Sequence, residues 1–260
     1  MLACVAAAAT WVCAALAQQG AVAERLPRGR LVAAKFAGGA ANHLLSAGVG
    51  AAVVNLRFLT RCGLSTPRAA TALAVKAYVG GMVRCALGAA LLVASPCTVH
   101  LSARAPHLLV LLPVAAGTAV LAAAISGRLG QLVARALANV RDVRDVHRHR
   151  ARACALWGGS VAFVLLHAGV IVAVVHAIGL GLPASRVAMA CLVACGAAVL
   201  LPTPGGLGSL DAALGLALAA AGAPGAAAVS AVLGYRLLTG WLPMAPGLLV
   251  LALPARRSAS

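Results

Sequence analysis

Apolar runs dominate this chain, and clusters of basic residues or glycine–proline breaks end each of them. Leu2 to Ala17 is the first run. A hydrocarbon core of about 30 Å needs roughly 20 helical residues, so this run is just long enough to span it. Its Ala15-Leu16-Ala17 end resembles a signal-peptidase site. A signal peptide, however, opens with a positive region, and no basic residue precedes this run. It predicts a membrane helix. Phe36 to Leu56 is apolar but interrupted by Gly38-Gly39, Asn42-His43, Ser46, Gly48 and Gly50. Ala69 to Ala94 predicts a long helix carrying Lys76 and Arg84, and His107 to Ser126 a clean span. Ala153 to Leu180 and Ala184 to Leu201 predict two more. Pro202 to Gly208 breaks the pattern, and Ser209 to Ala221 is apolar but short. Ala226 to Leu253 is long enough to span, with Pro243 and Pro246 predicted to kink or split it.

Charge between the runs orients them. Arg25, Arg28, Arg30 and Lys35 precede the Phe36 segment, and Arg57, Arg61 and Arg68 follow it. Arg128 to Arg152 holds seven arginines, with Asp142, Asp145, His147 and His149 among them. Basic loops stay on the cytoplasmic side. A full crossing by Phe36–Leu56 would put its two basic flanks on opposite faces. Entry and return by that segment keeps both inside. The Arg128–Arg152 loop is then inside as well, and a second re-entrant segment at Pro204–Ala221, followed by a final split helix, brings Arg256-Arg257 to the cytoplasmic side. Irregular backbone at that depth must be buried in protein or line a wet cavity, so two broken segments predict a polar interior.

Composition agrees. Of the 260 residues, 63% are apolar and only 10% charged, against about 25% charged in a soluble domain. The net charge of +17 comes from 21 basic and four acidic residues. Without interleaved aromatics it fits anionic headgroups and cytoplasmic loops rather than nucleic acid. The arginine-, alanine- and glycine-rich bias resembles high-GC bacterial genomes. The eight cysteines form no CxxC pair. Cys191 and Cys195 stand one helical turn apart and read as packing. His167 and His176 share a helix face but lack the further ligands a metal wants. No cofactor is expected.

The two broken segments are alike. Ala47 to Val54 can be laid over Gly205 to Ala212, each a Gly–aliphatic–Gly step opening an apolar helix. A turn and a long helix follow, carrying Lys76 in one half and Arg236 in the other. The expected organisation is one transmembrane domain over 1–260. It has inverted half-repeats at roughly 31–125 and 153–254 and a cytoplasmic basic loop at 127–152. Paired interrupted segments point to a transporter site.

The candidate site centres on Pro202 to Asp211. Pro202 and Pro204 stop a helix. Gly205, Gly206 and Gly208 leave backbone amides uncovered, and the helix that starts near Ser209 turns its positive end on them. That is an anion site in physical terms. Asp211 is the sole acid after Asp145; it caps its helix, or pairs with Arg236 or Lys76, or both. Tyr235 beside Arg236 is positioned to bind a headgroup or to pack. Asn42 and His43 are candidates to line the cavity, and Gly48 and Gly50 to let the first segment turn. There is no P-loop and no GxSxG.

Leu201-Pro202-Thr203-Pro204-Gly205-Gly206-Leu207-Gly208-Ser209-Leu210-Asp211 resembles the signature loop of the lysylphosphatidylglycerol synthase transmembrane region, a flippase-like family. Gly234-Tyr235-Arg236-Leu237, Trp241-Leu242-Pro243 and Pro246-Gly247 resemble its following helix, and Asn42 to Leu64 its first glycine-containing segment. Three features depart from it: Asp211 stands where glutamate is usual, Ser46 where a proline is expected, and the N-terminus is one helix short. Members fused to a cytoplasmic aminoacyltransferase make and flip aminoacylated phosphatidylglycerol, the membrane part being the flippase. No synthase domain is seen in this sequence. The resemblance therefore implies lipid translocation or binding rather than aminoacylation.

The expectation is an all-α polytopic protein of the inner or plasma membrane, with about six to seven spans and two re-entrant helices. It is not an enzyme. Its partner is an anionic or aminoacylated phospholipid, and a homo-oligomer is left open. Glycine amides at 205, 206 and 208 would meet a phosphate, and Lys76 and Arg236 would balance its charge. The alternative is a non-transporting scaffold that binds anionic lipid and recruits a partner.

Overall fold

The computed structural model describes residues 2–44, 49–94, 148–198 and 208–257. Among these residues the chain is helical, with no strand. Helices α1 (Leu2–Gly20), α2 (Arg28–Leu44), α3 (Val49–Arg61) and α4 (Thr66–Ala94) form the first half. Helices α5 (Arg150–Ala177), α6 (Ala184–Ala198), α7 (Ser209–Ala220), α8 (Gly225–Arg236) and α9 (Leu242–Arg257) form the second. Three of them, α1, α4 and α5, are long and apolar enough to cross a membrane. The basic loop and the span predicted at 107–126 lie outside the described residues, as does most of the Pro202–Gly208 break.

The order of elements repeats. A long helix is followed by two short ones packed on each other, and then by a long helix. The short helices α2 and α3 have 17 and 13 residues, or roughly 25 and 20 Å. Neither spans about 30 Å of hydrocarbon alone. They run antiparallel, because Gly50 abuts Ala41 while Gly38 faces Asn55 and Ala51. A Cβ at Gly50 would collide with the Ala41 backbone, so the hairpin closes only with glycine there. Helices α6 and α7, of 15 and 12 residues, pack together in the second half.

Helix α5 is the central post. Its most extensive partner is α1, and the face α1 buries is built from Ala7, Thr10, Ala15, Ala17, Gln18 and Gly20. In lipid, helix association rests on close packing of small residues rather than on hydrophobic burial. A Cβ at Gly159 would stand 2.8 Å from the Ala17 nitrogen. Further along, α5 divides its contacts. Leu156 and Val164 belong to a core with α1, α3 and α4; Val170, Ile171, Val174 and Val175 belong to a core with α6, α7 and α8. The outer faces carry Leu2, Val5, Val93, Leu216 and Leu249, all largely exposed. Water would punish such a surface, and acyl chains suit it. Buried hydroxyls bond back along their own helices, Thr10 to Ala7 O at 2.6 Å and Ser160 to Leu156 O at 2.7 Å. These two hydroxyls thus leave no donor unmet among their apolar neighbours.

The prolines near the C-terminus act differently from the predicted split. Residues Gly225–Arg257 form one continuous helical rod with a π-helical segment, Leu237–Trp241, in its middle. Pro243 has no N–H, and its ring would press on the carbonyl four residues back. That carbonyl belongs to Thr239, inside the π segment. The wider turn accommodates the ring without breaking the rod.

The α1–α5 contact yields a direct check. Gly159→Val is expected to destabilise the fold by about 1–3 kcal/mol or more through overpacking. Neighbouring Gly158, with nothing within 4 Å of its Cβ position, should accept valine within about 0.5 kcal/mol. Thermal unfolding of both variants in detergent measures the difference.

Candidate functional site

Asp211 lies in the first turn of α7 and faces two ways. One carboxylate oxygen accepts the Gly208 N–H at 3.0 Å, holding the N-terminus of the helix. The other accepts from Nε of Arg236, the last residue of α8. Capping and ion pairing, which the sequence offered as alternatives, are both satisfied by one side chain. Gly208 has a φ of +85°, a region that favours glycine, and so turns the preceding chain into the helix. The Arg236 side chain is 7% exposed and that of Asp211 is 29% exposed.

Helix α2 of the first half closes on this pair. Its His43 ring sits beside Gly240 in the π segment: a Cβ there would be 3.5 Å from His43 Cε1 and 4.0 Å from Arg236 Cδ. The π segment thus makes room, at a residue without a side chain, for His43 and the Arg236 stem together. π segments are often found at functional sites. Asn42, next to His43, buries its Oδ1 with no hydrogen-bond partner.

Other sequence candidates fall elsewhere. Tyr235 is buried in the α5–α6–α7–α8 core, edge-on to His167 at a centroid distance of 6.2 Å. Adjacent helical residues point in different directions, so Tyr235 and Arg236 face different neighbours. Lys76 lies on α4 beside Lys35, while Arg236 holds Asp211. Gly50 serves the α2–α3 contact. Pro202, Pro204, Gly205, Gly206 and Gly48 lie outside the described residues.

A second polar cluster was not predicted. Lys35 is 6% exposed and hydrogen-bonds Gln18 and Asn55. The sequence reading placed Lys35 in a basic loop. The available signal was the apolar stretch Leu31-Val32-Ala33-Ala34 before it, which starts the helix ahead of the lysine. Near the predicted cytoplasmic side, a cavity of about 820 Å³ runs between α1, α2 and the start of α5. Val12, Leu16 and Leu31 line it together with Arg25, Arg28 and Arg152. Among the described residues, no group of three or more histidine, cysteine or acidic side chains is placed to hold a metal.

Removing one partner of a buried pair strands the other. Asp211→Asn is expected to cost on the order of 3 kcal/mol. Replacing both, as Asp211→Leu with Arg236→Met, should recover part of that loss. A double-mutant cycle on detergent-solubilised protein reads the coupling.

No curated protein matches the chain. Residues 1–247 match the family model described as the lysylphosphatidylglycerol synthase TM region. With nearly the whole chain covered, this protein belongs to the lysylphosphatidylglycerol synthase TM region family.

Proposed function

We propose that this chain is an integral membrane lipid translocase that moves a phospholipid or lipid-linked amphiphile between leaflets. The observation that carries this reading is the Asp211–Arg236 pair, buried where the α2 tip, α7 and the π segment converge. Ionisable groups at membrane depth are expensive and mark substrate paths. Here they stand where the tip of α2 meets the π segment that follows Arg236, and interrupted helices of this kind surround transporter sites. In this reading the Phe36–Leu56 and Pro204–Ala221 segments are re-entrant, and the halves form an inverted repeat within about six to seven spans. The basic loop and C-terminus face the cytoplasm, and the membrane is the cell membrane.

The cavity lined by apolar side chains and arginines supports the same reading. Such a lining suits an acyl chain together with an anionic headgroup. Movement of one half against the other would carry the headgroup past the central pair while the chains stay in hydrocarbon. The activity is transport, not catalysis, and the partner is membrane phospholipid rather than nucleic acid.

Reconstitution in liposomes containing a fluorescent anionic phospholipid tests this. Wild type is expected to speed transbilayer movement, and Arg236→Ala to lower the rate about tenfold or more while remaining folded. A folded wild type that moves no lipid would favour the scaffold.

A further inference from the structure

Inside the first half, donors converge from three helices without an acceptor that carries charge. Lys35, midway along α2, is almost fully buried. Its Nζ donates to Gln18 Oε1 on α1 at 3.0 Å and to Asn55 Oδ1 on α3 at 2.6 Å. Both acceptors are neutral amides. Lys76 on α4 lies beside the Lys35 amine. Two ammonium groups side by side would repel one another unless one amine gives up its proton or something negative lies between or beside them.

Among the described residues nothing negative does. Glu24 pairs with Arg68 and Asp211 with Arg236. Between Glu24 and Asp142 the sequence contains no acid. The internal repeat sharpens the contrast. Arg236 finds its carboxylate 25 residues earlier, at Asp211. With Ala47–Val54 laid over Gly205–Ala212, the residue matching Asp211 is Val53. One half carries its own counter-ion and the other lacks it.

Gln18 supplies a second, independent sign. The side chain is completely buried, and because its Oε1 is turned to Lys35, its Nε2 is left as a donor. That Nε2 has no partner. Burying an amide donor unsatisfied is costly, and this one lies one amide width from the lysine pair. An oxyanion with several acceptor oxygens would satisfy Nε2 and both amines at once. Phosphate directs its oxygens tetrahedrally and so suits donors arriving from α1, α2 and α4 better than a planar carboxylate.

We propose that Lys35, Lys76 and Gln18 form a binding site for a phosphate-class oxyanion, either free phosphate or the phosphodiester of a phospholipid. The lipid source, but not the site, rests on the translocase reading.

The full chain in detergent micelles, titrated calorimetrically with inorganic phosphate and separately with dioctanoyl phosphatidylglycerol, tests the site. Wild type is expected to bind at least one of them. Lys76→Gln, at a partly buried position, and Gln18→Leu should each weaken that binding about tenfold or more. Arg61→Gln, which removes an exposed cation outside the site and outside the groove, should leave it within about twofold. Circular dichroism and gel filtration confirm that each variant is folded. Lys76→Arg should retain most of the affinity. Binding of the lipid alone identifies the headgroup as the source; binding of both, in competition, shows that free phosphate shares the site. Failure of wild type to bind either, or full affinity in folded Lys76→Gln, overturns the proposal. Liposome assays on the same proteins separate the two claims. Binding without lipid movement keeps the site and removes the translocase, and movement that survives Lys76→Gln with binding lost keeps the translocase and removes this site's part in it.

Discussion

Hydrocarbon gives a helix nothing for burying leucine against leucine, because lipid already offers the same contact. What holds this protein together must therefore be close fit and satisfied polar groups. The α1–α5 seam shows the first: alanines and glycines let two backbones approach until a Cβ at Gly159 would touch the neighbouring chain. Helix α5 then passes from a core shared with the first half to one shared with the second. Both halves hang on that seam. Loss of its small residues would unseat α1 together with the lysine cluster, since Gln18 sits on the same buried face as Ala15 and Ala17.

Polar satisfaction explains the rest of the interior. Short helices leave helix ends inside the protein, and each end needs partners. Asp211 meets that need for α7 and reaches on to Arg236, so a terminus problem and a charge problem share one solution. The first half solves its problem differently. Lys35 is held by amides, not by a carboxylate. The two halves resemble one another in the order of their helices and differ in their electrostatics, one closed on itself and one short of negative charge. In a protein that handles amphiphiles with phosphate in their headgroups, that asymmetry would favour the anion on one side of the central pair.

Much of this was legible in the sequence. Lipid as solvent forces helices, and apolar runs of spanning length announce them, so helical class and long helices followed from hydropathy alone. Asp211 stood out because acids are so scarce, and its pairing with Arg236 followed from the cost of leaving either alone. Lys35 was hidden by its company: four basic positions in eleven residues look like a loop, and only the apolar stretch from Leu31 betrays the helix. Tyr235 was grouped with Arg236 by adjacency, whereas a helix turns about 100° per residue and sends the ring into the core. The π segment has no sequence signature beyond Pro243, because the width of a turn is set by what packs around it, here His43 and the Arg236 stem.

In the proposed translocase one half moves against the other, and the α2 tip and the π segment are a place where the two halves touch. In a background lacking the native cysteines, His43→Cys with Gly240→Cys places two thiols across that contact. A short bifunctional thiol reagent should link them, stop transbilayer movement of a fluorescent anionic lipid in proteoliposomes, and release it again when the link is reduced. Undiminished movement with the link in place would contradict the account.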